Sequence, residues 1–135
     1  MRNTLKRLSV AGVAAVAICA ATVTDASAAS GNGACSVTGA KGGMTFTNWS
    51  SSYVDISANI SDTYADGHNV GIRFRSMDND WVTDWPWHYN NSGAGSTISF
   101  KTYASTPAGQ LDYIGGQVAV FDSTGHILRS CTFWA

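Results

Sequence analysis

The sequence predicts an all-β domain: a small antiparallel β-sandwich of six to seven strands closed by one disulfide. Three observations carry this reading. Apolar residues recur at every second position, as in Val54, Ile56, Ala58, Ile60 and again in Val70, Ile72, Phe74, which is the period of a strand with one buried face. Helix formers are scarce, with no glutamate anywhere and, beyond residue 28, two lysines against thirteen glycines. Two cysteines, Cys35 and Cys131, lie near the two ends of that same stretch. A Greek-key barrel is the second architecture that fits.

The N-terminal stretch reads as a leader. Met1–Arg7 is basic, Leu8–Val23 is apolar, and Asp25-Ala26-Ser27-Ala28-Ala29 contains the small-x-small pattern that signal peptidase needs. A signal peptide over residues 1–28 leaves a single secreted domain over residues 29–135, and those 107 residues suffice for one domain but not two. The apolar run is short for a membrane span and ends in the cleavage site. Ile18 is too bulky for the position before a lipobox cysteine, so Cys19 is not read as a lipid anchor. The remaining chain sets five cations (Lys41, Arg73, Arg75, Lys101, Arg129) against eight aspartates, a net charge of −3 where the precursor has −1. That balance argues against nucleic acid or an anionic membrane as partner, since both need a basic face.

Strands are expected in order near Cys35–Thr38, at Met44–Trp49, from Val54 to Ile60, from Val70 to Arg75, at Thr97–Tyr103, from Tyr113 to Phe121 and from His126 to Trp134. Between the third and fourth, Ala65-Asp66-Gly67 reads as a three-residue hairpin loop with Gly67 in the left-handed position of a bulge. That register sets Tyr64 opposite His68, Ile60 opposite Ile72 and Ala58 opposite Phe74, so that the pleat agrees with burial. Gly115-Gly116 marks a bulge or a close backbone approach. Asp122-Ser123-Thr124-Gly125 turns the last two strands, whose apolar residues fall on both faces: Val118, Val120 and Leu128 on one, Phe121, Ile127 and Phe133 on the other.

Once the leader is gone only one cysteine pairing exists, Cys35 with Cys131, and it ties the first strand to the last. In the chain-entropy treatment so long a loop is worth roughly 4–5 kcal/mol. A structural staple is expected of both residues, not catalysis or metal binding.

The segment Asp78–Asn91 holds three tryptophans, a tyrosine, a histidine and three aspartates between two strands. Pro86 forbids a regular central strand and stiffens the backbone between Trp85 and Trp87. Three uses fit, in descending order of preference: a lid over the open end of the sandwich, an anchor for a protein partner, or a platform for sugar rings. As partner-binding residues the segment offers Trp81, Trp85, Trp87, His88 and Tyr89, since Trp and Tyr dominate interface hot spots. The spacing of Asp78, Asp80 and Asp84 invites calcium, but the glycine and the terminal bidentate glutamate of an EF-hand are missing. Zinc fits less well, with His68, His88 and His126 scattered. No metal and no cofactor is therefore expected.

The search for catalytic motifs is negative. There is no G-x-S-x-G elbow, no H-E-x-x-H and no phosphate-cradling glycine loop. A glycosidase would need two aspartates that nothing singles out. A nuclease built on His68 or His88 would need basic phosphate contacts, and His68, following a turn glycine, reads as a solvated hairpin side chain.

The string Ser61-Asp62-Thr63-Tyr64-Ala65-Asp66-Gly67-His68-Asn69-Val70, followed by Arg73-Phe74-Arg75, resembles a D-T-x-A-D-G-x-x-V element of small secreted actinobacterial proteins that also carry a cysteine near the C-terminus, as at Cys131. Some of these resemble the small subunit of umbrella-type antibacterial toxin particles, in which a small β-domain links a lectin-like subunit to the large toxin chain. The resemblance covers Ser61–Arg75 and the overall layout, and transfers no binding residue. The function it implies is a secreted, non-enzymatic protein-binding module, most specifically a linking subunit of an extracellular toxin complex. A carbohydrate-binding module using Trp81–Tyr89 and a secreted enzyme inhibitor are the alternatives.

Overall fold

A computed structural model describes residues 28–107 and 109–135. Residues 1–27 of the expected leader (1–28), with Cys19, lie outside the described residues. The rest is all-β, with nine strands: β1 Ala29–Val37, β2 Ala40–Trp49, β3 Tyr53–Asp62, β4 Asn69–Asp78, β5 Trp81–Asp84, β6 His88–Asn90, β7 Thr97–Ser105, β8 Tyr113–Phe121 and β9 Ile127–Trp134. They form two antiparallel sheets. The first has the order β1-β2-β3-β7; the second runs β5-β4-β8-β9, with β6 also pairing to β4. The expected sandwich is thus found, with two strands more than the seven anticipated. Both additions come from the aromatic segment that reads as a loop.

The core lies between the sheets. Phe46, Val54, Ile56, Ile60, Val70, Ile72, Ile114, Val118 and Val120 are almost fully buried there. The alternations at Val54–Ile60 and Val70–Phe74 point inward as expected, but their strands do not pair. β3 lies against β7, with Ile60 opposite Ile98 and Ala58 opposite Phe100. β4 lies against β8, with Val70 opposite Val120 and Ile72 opposite Val118. The expected hairpin is therefore an arch from one sheet to the other. Alternation fixes which face of a strand is buried and leaves its partner open: two strands stacked across a core satisfy it as well as two paired side by side. The turn residues keep a turning role. Gly67 has φ +73, the Asp66 carboxylate accepts from the His68 amide at 3.0 Å, and Arg129 reaches Asp66 at 3.5 Å. His68 is half-buried within this arch and is not a solvated hairpin side chain.

Along one seam the edge strands β1 and β9 meet. Cys35 and Cys131 bridge them, 6.2 Å apart at Cα, and Phe133 fills the space beside Gly33 and Gly116, where a Cβ would collide with its ring. Gly115 backs onto the Phe133 carbonyl in the same way. Gly115-Gly116 is thus a close approach, while the irregularity of this strand pair lies between Val120 and Phe121. That shift moves Phe133 to the core face, 7% exposed, and not to the face of Phe121 and Ile127 as the sequence suggests. Leu128 is turned out to solvent, away from Val118 and Val120.

One end of the sandwich is plugged by Leu111, fully buried in the β7–β8 connection, whose carbonyl accepts from Trp49 Nε1 at 2.8 Å. Neither Trp49 nor Leu111 stands out in the sequence as a plug, and of the segment expected to fold back as a lid Trp85 packs against the core elsewhere. The β8–β9 turn forms where predicted. Asp122 accepts from the amides of Thr124 and His126, each at 2.9 Å, and from the Thr124 hydroxyl at 2.7 Å. These donors hold the carboxylate down from its ordinary 3.8 to about 2. A depressed folded-state pKa means that the unfolded chain binds the proton more readily, so the turn's contribution is complete above about pH 4 and is lost as pH falls toward 2. Denaturation of the native protein and of Asp122→Asn across this window is expected to show a steeper pH slope for the native protein; equal slopes would remove Asp122 as the cause.

Candidate functional site

The aromatic segment is an edge of the second sheet. β4 turns at Asn79-Asp80, both with positive φ (44 and 74), into β5, so that Asp78 faces Trp81 and Arg75 faces Asp84. Two consecutive left-handed residues make the primed turn whose twist suits a hairpin, and Asn and Asp tolerate that conformation best after glycine. The chain then steps out at Trp85-Pro86-Trp87, where Pro86 has no amide to give, and rejoins β4 as β6, with Ile72 opposite His88 and Val70 opposite Asn90. Asn90 is buried and donates to the carbonyls of Ile60 and Ser96, both at 3.1 Å, which ties β6 to the opposite sheet.

The five expected partner-binding residues do not share one surface. Trp85 turns inward: its ring packs on Phe74 at 5.4 Å and its Nε1 donates to Ser76 Oγ at 3.0 Å. His88 also lies on the inner side, stacked on Phe100 of β7 at 4.1 Å. Trp87 and Tyr89 lie on the outer face, both edge-on to Phe121 at 4.9 and 5.2 Å. Trp81, at the turn tip, is 82% exposed. The segment is therefore part core, part outer face and part exposed turn tip. A sugar platform made of Trp85 and Trp87 side by side is not what this arrangement provides.

Trp87 and Tyr89 belong to a larger surface that the sequence did not reveal. Arg73, Arg75, Gln117, Ser130, Thr132 and Trp134 come to the outer face of the second sheet from three strands. Asp84 binds both arginines, Arg73 at 2.8 Å and Arg75 at 2.6 Å. Arg73 Nε donates to Gln117 at 2.8 Å, Gln117 donates to Ser130 at 3.1 Å, and Arg75 donates to Thr132 at 3.0 Å. The Arg73 guanidinium also sits 4.5 Å over the Trp87 ring. Burial against this ring lowers the Arg73 pKa, with Asp84 opposing and Arg75 adding to the shift. Two glycines let aromatic rings lie close to the backbone: Tyr89 and Phe121 close over Gly71, and Trp134 closes over Gly115. Only register shows this, because the residues come from separate stretches of chain.

The two sheets differ in what they display. Among the described residues, ten large apolar side chains are exposed, and seven of them (Trp81, Val82, Tyr89, Tyr113, Ile127, Leu128, Trp134) lie on strands of the second sheet. All three described arginines lie there too, whereas Lys41 and Lys101 are on the first sheet. The first sheet's outer rows are mainly polar, such as Thr45, Ser57 and Lys101, with Asn59 and Ser99, and its large exposed rings are confined to the stacked pair Tyr53 and Tyr103.

The candidate metal ligands are not brought together. Asp84 is committed to the arginines while Asp78 precedes the turn and Asp80 lies in it, and among the described residues no group of three or more His, Cys, Asp or Glu could hold an ion. Asp55 is likewise engaged, accepting from Asn48 at 2.7 Å and from the Tyr53 hydroxyl at 2.6 Å, bonds that lower its pKa. The Cys35–Cys131 bond belongs to an oxidising environment, and among the described residues no helix is long and apolar enough to cross a membrane. No family model matches the chain, and neither curated proteins nor solved structures give a match.

Proposed function

We propose that this is a secreted, non-enzymatic module that binds another protein through the outer face of its second sheet. The observation that carries the reading is the composition of that face: Trp87, Trp134, Tyr89, Tyr113 and two arginines, without lysine, the guanidinium pair already held in place. Interface cores are enriched in these residue types and depleted of Lys and Glu, and an ordered arginine gives up little further entropy on binding. Tyr113 and Trp134 are the anchors, both exposed on that face. The leader pattern and the disulfide support export. The most specific form of the reading is a linking subunit of an extracellular antibacterial toxin complex, supported by the resemblance of Ser61–Arg75.

Purifying the native protein from culture supernatant tests this. A partner polypeptide should co-purify, and Tyr113→Ala or Trp134→Ala should weaken its capture by about 30-fold, the size of a hot-spot loss. A lone monomer, or capture indifferent to both changes, would count against it. A second reading has one specific observation behind it: a shallow cleft lined by Asn69, Tyr89, Asn91, Asp122 and Thr124 places an exposed ring beside amides and hydroxyls, as a saccharide site requires. A glycan array with Tyr89→Ala as control separates the two.

A further inference from the structure

The two seams of the sandwich are finished differently. Where β1 meets β9, the disulfide and Phe133 close the gap. On the opposite side β7 meets the β5–β6 edge; there His88 on Phe100 and Asn90 on Ser96 close one end, and beyond them the seam is open. A slot of about 300 Å³ lies there, floored by Ile56 and Phe74, walled by Trp85 and Pro86 on one side and by Thr102 and Tyr103 on the other, and ended by His88.

Edge strands are normally blunted by bulges, proline or shortness, because their free amides and carbonyls recruit any strand that approaches. The β5–β6 edge is broken at Trp85-Pro86-Trp87, and the β1–β2 pairing shifts between Ala29 and Gly31. β7 has none of these devices, and its one protection is a single charge, Lys101. It runs nine residues without Pro or Gly, pairs β3 in unbroken register from Ser105 to Thr97, and has no partner on its other side among the described residues.

We infer that the β7 edge and the adjoining slot form a second binding site, which accepts an extended segment of a partner protein as an added strand. This site lies apart from the outer face, and it rests on the reading of the chain as a protein-binding module. The pleat dictates the segment's pattern. Lys101, the one charge on β7, points outward, so the residue opposite it is acidic. Thr102 points inward, so the residue beside it in the added strand carries a bulky apolar side chain into the slot. A second copy of this chain is the poorer occupant, because centring its β7 on the same edge sets Lys101 against Lys101, and like charges directly opposite are unfavourable. With two separate surfaces one small domain holds two polypeptides at once, which is what a linking subunit must do.

Panning a random phage-displayed peptide library against the purified protein tests the site. Enriched peptides, made synthetically, should alternate apolar and polar residues, carry Asp or Glu, and slow amide hydrogen exchange across Thr97–Ser105. Lys101→Glu should weaken them by about five- to tenfold, through exchange of a favourable cross-strand pair for a repulsive one, and a peptide with its acid changed to lysine should recover that loss. Trp134→Ala should leave these peptides unaffected even where it abolishes capture of the native partner, so the two surfaces fail independently. No enrichment, protection confined to other strands, or indifference to Lys101→Glu overturns the inference.

Discussion

Reducing the Cys35–Cys131 bond, or replacing both cysteines by serine, is expected to lower stability by about 4–5 kcal/mol, the upper part of the range for native disulfides. The reason is the length of chain enclosed: the two residues are 96 positions apart, so the bond removes conformations from almost the whole unfolded domain. For a domain of this size such a loss lowers Tm by about 15–30 °C. The location adds a structural consequence. β1 is held at the edge of its sheet by β2 alone, and its first half is rich in glycine and small residues, Ala29-Ser30-Gly31-Asn32-Gly33. Such a strand contributes little side-chain burial of its own, so without the staple it should exchange its amides before any other strand. Equilibrium denaturation with and without reductant reads the first effect, and hydrogen exchange reads the second. A shift under about 1 kcal/mol would mean that the seam is held by packing and the bond is incidental. The slope of the denaturation curve should rise on reduction, since the freed unfolded chain exposes more surface.

The sandwich, the disulfide and the inward sets of β3 and β4 could be read from the sequence because each follows from a local rule: period-two alternation, turn chemistry, and a single available pairing. Strand partners could not. Ile60 and Ile72 both face the core, and nothing in their spacing says whether they meet edge to edge or across the sandwich. The same limit hid the outer face of the second sheet. Arg73, Gln117 and Ser130 form one hydrogen-bonded row, yet they are separated by tens of residues and each alone looks like an ordinary exposed polar position. Phe133 was misplaced by one irregularity, the shift between Val120 and Phe121, because a single extra residue exchanges the two faces of everything beyond it.

The aromatic segment failed differently. Its density of tryptophan was visible, and Pro86 was correctly seen to bar a regular strand. What pattern could not supply was that a proline is tolerated at an interrupted edge, where no ladder hydrogen bond is demanded of it. The segment therefore became two short strands around a step, and its aromatics were dealt alternately inward and outward. Trp85 serves the core, Trp87 supports the arginine, and Trp81 alone is left free. The sequence treats them as a cluster, while the pleat separates them by face.

Phe133→Ala is the other substitution expected to have a large effect, about 3–5 kcal/mol of destabilisation. The ring is 7% exposed and occupies the space that Gly33 and Gly116 leave by having no side chains. Those glycines belong to β1 and β8, whose positions are fixed by ladder hydrogen bonds to β2, β4 and β9. The walls of the vacated site are thus backbone, which collapses poorly, and the cavity term stays close to its full size. Phe133→Leu should cost much less, because it refills most of the volume. Plug and staple act on the same seam, so their effects should not add. With the disulfide reduced, β1 is already free to move away from β9, and removing the ring then costs less than it does in the oxidised protein. The difference should exceed about 1 kcal/mol, within the range of coupling energies for neighbouring sites. Urea denaturation of the four combinations, native and Phe133→Ala, oxidised and reduced, reads it directly. Strict additivity would show that the ring holds β8 and β9 to the core without help from β1, and that the seam opposite the open slot is closed by two independent devices.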